Sequence, residues 1–81
     1  MRLSELPNIG PELETLLYEH GILSPDDLRT VGAVEACRRL QLHGESCVNK
    51  LYALEGAIRG VRWHDLPREE REVLRGEFLG E

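Results

Sequence analysis

The chain has 81 residues and a mass of 9.2 kDa, the size of one small domain, in which folding hides only about 60–65% of the unfolded surface. With 41% hydrophobic and 31% charged residues it is not a disordered tail, and no apolar run approaches the roughly 20 residues of a membrane span. Fifteen carboxylates against ten basic groups leave a net charge of −5; this argues against indiscriminate nucleic-acid binding, which needs cations to displace counterions from phosphates.

Met1 to Glu5 lacks the apolar core of a secretory signal, which predicts a cytoplasmic protein. Arg2 to Leu6 is long enough for one short helical turn. The six residues Leu6-Pro7-Asn8-Ile9-Gly10-Pro11 then read as a tight backbone hairpin. Leu6 and Ile9 are apolar anchors and Pro7 fixes φ near a turn value. Asn8 and Gly10 are residue types that tolerate positive φ at least cost. Pro11 suits the first position of a helix, where a missing N–H loses nothing. The spacing resembles the turn of helix-hairpin-helix modules, which presents backbone N–H groups to a nucleic-acid phosphate.

A helix is predicted from Pro11 to His20, with Leu13, Leu16, Leu17 and His20 on one face and Gly21 as its stop. His20 reads as a packed histidine at the helix end. Ile22 and Leu23 feed the core. Ser24-Pro25-Asp26-Asp27 opens the next helix: an N-cap, a proline at the first position and two acids in the first turn. It ends before Gly32. A further helix spans Ala33 to Leu42, with Val34, Cys37 and Leu40 inward and Glu35, Arg38 and Arg39 outward; His43-Gly44-Glu45-Ser46 breaks it.

From Cys47 to Arg59 the stripe Cys47, Leu51, Leu54 and Ile58 marks another helix, and Gly56 on it points to close packing against a neighbour. Residues 60–65 form a connector. Asp65-Leu66-Pro67 opens a last helix to Phe78, whose apolar face is Val73, Leu74 and Phe78. No strand, internal repeat or low-complexity tract is visible. The expected fold is all-α, a single domain over 1–81 with five to six short helices, of helix-hairpin-helix or SAM-like type.

Chemistry-bearing residues are few. Cys37, His43 and Cys47 match no common zinc spacing, so two thiols in a reducing compartment are expected and no metal or cofactor. A Cys37 or Cys47 thiolate paired with His43 or His64 is conceivable as a nucleophile, but no oxyanion-hole or nucleotide-loop motif accompanies it; a non-enzymatic role is expected. Lys50, Arg59 and Arg62 fall near the end of the fifth helix beside Trp63, a candidate basic and aromatic patch. Trp63 itself reads as a core or interface residue, Tyr18 and Tyr52 as boundary residues.

Several segments, taken in order, resemble one family. They are Leu6 to Glu12, His20-Gly21-Ile22 with Ser24-Pro25-Asp26-Asp27-Leu28, Gly32-Ala33-Val34-Glu35-Ala36, and Leu51 to Gly60 leading into Trp63-His64-Asp65-Leu66-Pro67. Together they are similar to the C-terminal domain of the TfoX (Sxy) family over residues 3–78. The resemblance implies a helical domain acting in the control of natural competence and transcription. Many members carry a further N-terminal domain, which these 81 residues do not include.

Against the usual Leu-Pro-Gly-x-Gly-Pro-Lys hairpin, Gly10 matches the second glycine and Asn8 replaces the first. Glu12 stands where a cation often reaches the phosphate, with Glu14 in the same turn. Two carboxylates there satisfy the helix N-terminus and repel an incoming anion. The candidate site is therefore Pro7, Asn8, Ile9, Gly10, Pro11 and Glu12, with Lys50, Arg59, Arg62 and Trp63 as a secondary patch. A protein partner is the expected ligand, and direct, sequence-independent DNA contact is the alternative. A homodimer through an exposed helical face is a further outcome; a membrane partner is not expected.

Overall fold

A computed structural model describes residues 2–41 and 47–80. Five α-helices follow one another with no strand among the described residues: α1 (Pro11–Glu19), α2 (Pro25–Val31), α3 (Ala33–Arg39), α4 (Val48–Arg59) and α5 (Arg68–Leu79). Two short 3-10 turns, Leu3–Glu5 and Trp63–Asp65, precede α1 and α5. The sequence punctuation explains the boundaries. Pro11 and Pro25 occupy first helical positions, and the Ser24 hydroxyl accepts from the Asp27 amide at 3.2 Å. Gly21, with φ of 83°, lets the chain reverse after α1: its amide donates to Tyr18 O and that of Ile22 to Leu17 O. Buried Ile22 and Leu17 complete that stop from the apolar side. Gly32 ends α2 and begins α3 at φ 84° and ψ 158°, a region closed to side-chain-bearing residues.

Expected boundaries shift by one to three residues. The helix read as Ala33–Leu42 stops at Arg39, with Leu40 as its cap and Gln41 at positive φ; the break read at His43 to Ser46 lies outside the described residues. The connector after α4 holds a turn of 3-10 helix, and Pro67 caps α5 rather than lying in it.

Leu3, Leu17, Ile22, Leu28, Cys37, Leu51 and Leu54 form the fully buried centre, contributed by every helix up to α4. α5 buries no residue completely; Leu74 and Phe78 lie against the core edge. Val73, expected on that inner face, is instead 61% exposed, because α5 turns Leu74 and Phe78 inward and the neighbouring position looks outward. Cys47 is half-buried, and Val48 takes the inner position at the start of α4.

Glu14 is the one buried charged residue among those described. One carboxylate oxygen accepts from the Ser4 amide at 2.9 Å and the other from Arg2 Nη2 at 2.8 Å. These contacts, the Ser4 amide foremost, hold its carboxyl below the ordinary glutamate range. A folded-state value below the unfolded one means that the contribution to stability is complete above that range. It vanishes as pH falls through the lowered value. Glu14→Gln should therefore lower the urea midpoint at about pH 7, with the deficit shrinking steadily as pH falls below the ordinary glutamate range. A deficit that is independent of pH would contradict this assignment.

Candidate functional site

The bend between the first 3-10 turn and α1 is held by one side chain. Asn8 adopts φ of 70°, a left-handed conformation that asparagine reaches more cheaply than most residues. Its Nδ2 donates to Val61 O at 3.0 Å and to Ala53 O at 3.3 Å, and its Oδ1 accepts from the Trp63 amide at 3.2 Å. The amide thus staples the bend to α4 and to the connector beyond it. Gly56 makes room for this: a Cβ there would lie 2.6 Å from Asn8 Nδ2 and 2.7 Å from Val61 O. Close packing at Gly56 was legible in sequence, whereas the stapling role of Asn8 was not.

Gly10 differs from expectation. Its φ is −93° in extended backbone, and a Cβ would meet nothing within 4 Å. The fold places no demand for glycine at this position, which sits at the mouth of a cleft. Neither Ile9 nor Gly10 donates its amide to another backbone group among the described residues. The cleft, about 720 Å3 in volume, runs between the bend, α1 and α4, within the usual range for ligand sites. Half-buried Leu13 and Leu16 line its floor; Glu12, Asn49 and Lys50 stand around it. A second hollow of about 310 Å3 shares Asn8, Asn49 and Ala53 with it and adds Arg62, Trp63 and His64.

The two candidate regions read from sequence therefore form one continuous surface, joined through Asn8. Trp63 is exposed rather than core; its ring stacks on Tyr52 with centroids 6.4 Å apart and meets His64 edge-on. Its backbone amide is stapled to Asn8. Lys50 and Arg62 both border this surface, but Arg59 does not join them. Arg59 Nε pairs with Glu55 at 2.6 Å and its Nη1 with Glu70, so its charge is spent on the α4–α5 side. Glu14 also departs from expectation, since it faces Arg2 and Ser4 rather than the cleft. Among the described residues Glu12 alone remains as a carboxylate at the mouth.

Burial pushes the Cys37 thiol up to about 12, so it is protonated at neutral pH and a poor nucleophile. Among the described residues no three His, Cys, Asp or Glu side chains are grouped for a metal; His43, one of the three ligands weighed above, lies outside them. His20 is half-buried and its Nδ1 lies 2.9 Å from Leu16 O, at the end of α1. No helix among the described residues is long and apolar enough to cross a membrane.

The model of the TfoX C-terminal domain matches residues 1–78. The chain belongs to the TfoX C-terminal domain family. This TfoX C-terminal domain is 39% identical over 74 residues to Protein Sxy of Escherichia coli (strain K12), a match that takes in 90% of the chain and 35% of Sxy. It thus spans about a third of that relative. Two crystal structures from Listeria monocytogenes share its fold at 45% identity. One, of an uncharacterised protein, gives a TM-score of 0.85 and covers 93% of this chain and 86% of its own. The other, of a protein of unknown function, gives 0.82 with 91% and 92%.

Proposed function

We propose that this TfoX C-terminal domain is a non-enzymatic, cytoplasmic regulatory module that controls competence and transcription by docking a polypeptide in the cleft between the Asn8 bend and α4. The observation that carries this reading is the floor formed by Leu13 and Leu16, apolar surface that a peptide side chain can cover and a phosphate cannot. Glu12 at the mouth and the net charge of −5 oppose a long polyanion. The protonated state of Cys37 is in keeping with binding rather than covalent chemistry.

Direct DNA contact is the second reading, and three observations favour it. Glu14 is turned away, the amides of Ile9 and Gly10 are unused by other backbone groups among the described residues, and Lys50 and Arg62 stand nearby. A low-salt titration with duplex DNA separates the two. Docking of a polypeptide predicts that the amide signals of Asn8 to Glu12 stay in place and that Leu16→Glu abolishes regulation of competence transcripts in cells while the domain stays folded. Shifts at Asn8 to Glu12 that collapse steeply with added salt, or regulation that survives Leu16→Glu, would overturn it.

A further inference from the structure

One stretch of the described surface is the chemical complement of the cleft. Along α5, Glu69, Glu72, Val73 and Glu77 recur at helical spacing and are all exposed. Val73 is more exposed than any other large apolar side chain described, at 61%. Glu69, Glu70 and Glu77 line the same shallow hollow together with Arg59, and Arg38 donates to the Glu77 carbonyl at 3.0 Å. Of these, Glu70 already holds Arg59, and Glu72 pairs with Arg68 at 3.3 Å. Glu69 and Glu77 flank the valine with no ion pair among the described residues. The cleft and the hollow beside it present the opposite pattern: Lys50 stands by the floor of Leu13 and Leu16, Arg62 lies in the adjoining hollow, and Glu12 is the one carboxylate lining either among the described residues.

We infer that α5 of a second copy of this chain occupies the cleft, with Val73 over Leu13 and Leu16 and with Glu69 and Glu77 toward Lys50 and Arg62. The inference rests on reading the cleft as a polypeptide groove. An amphipathic helix laid into a groove is a common mode of peptide recognition, and α5, at roughly 18 Å long, is of a length for it. Opposed charges select the pairing and set its salt dependence. Groove and stripe are different patches of the chain, so the contact adds copies head-to-tail unless two copies exchange helices about a two-fold axis. With one short helix per groove the contact is small, so weak, concentration-dependent association is expected.

Sedimentation velocity of the whole chain tests this. At low salt, roughly 0.01 M, the weight-average mass should rise about twofold above the monomer as protein approaches about 1 mM. At about 0.3 M salt it should fall back. Lys50→Glu and Val73→Glu, both at exposed positions, should each remain monomeric with unchanged helical circular dichroism. Their equimolar mixture should form a one-to-one complex, because one intact cleft and one intact stripe remain. A wild type that stays monomeric, a variant that associates like wild type, or a mixture that does not combine would overturn the inference. Those results leave the groove reading intact if Leu16→Glu still abolishes regulation; if it does not, the groove reading fails on its own account.

Discussion

Replacing Gly56 by alanine should lower the melting temperature, even though alanine is the better helix former by about 1 kcal/mol inside a helix. The new methyl group would stand 2.6 Å from Asn8 Nδ2, 2.7 Å from Val61 O and 3.3 Å from Trp63 Cα. Two of these neighbours are backbone atoms, and the Val61 peptide is itself held by the hydrogen bond from its amide to Gly56 O at 2.9 Å. The helix end cannot yield without losing its stop at Gly60. Overpacking of this kind costs about 1–3 kcal/mol, enough to outweigh the propensity gain. Net of the propensity gain, up to about 2 kcal/mol of destabilisation remains, a fall of as much as roughly 15 °C, read by circular dichroism, with altered emission from Trp63, the sole tryptophan. A raised melting temperature would show that the bend does not rest on α4 at this point.

Asn8 carries the second large effect, and two variants separate its two contributions. Asn8→Gly keeps access to positive φ and removes the three side-chain hydrogen bonds. At about 0.5–1.5 kcal/mol per bond, and less where the groups reach water, the expected loss is about 1–3 kcal/mol. Asn8→Ala adds the left-handed backbone penalty of about 1–2 kcal/mol and should be the less stable of the two. Urea unfolding gives both numbers. Both variants should release Trp63 from its stack on Tyr52, which fluorescence follows directly. Combined with Gly56→Ala, either change should cost less than the sum of the separate losses, because the crowded Nδ2 atom is then gone. Strict additivity, or an Asn8→Gly protein as stable as wild type, would remove the staple from the account.

Much of the fold was legible because its signals are local. Ser24-Pro25-Asp26-Asp27 and Pro11 announce helix starts through caps and fixed φ, and Gly21, Gly32 and Gly60 announce stops through positive φ. Leu17, Leu51 and Leu54 were placed inward by helical periodicity and are fully buried. The candidate site was legible only as two separate lists. Asn8 was read for its tolerance of the bend, while its partners, Ala53, Val61 and Trp63, lie 45 to 55 residues away. Charge was the least readable property. Glu14 and Glu12 look equivalent two residues apart, yet one is buried under Arg2 and the Ser4 amide and the other is exposed. Arg59 and Arg62 look like one patch, yet Arg59 is held by Glu70.

By itself, the order of residues determined an all-α domain, its helix starts and stops, its central leucines and its membership of the TfoX C-terminal family. The family follows from several segments that resemble it in order; the rest follows from caps, prolines, glycines and the 3.6-residue period, each acting within a turn or two of the chain. Tertiary structure alone decided that Asn8 joins bend and connector into one cleft, that Glu14 is used up inside, and that Val73 faces outward. Such outcomes depend on which groups meet across long stretches of sequence, where packing and paired charges, rather than local propensity, choose the partner.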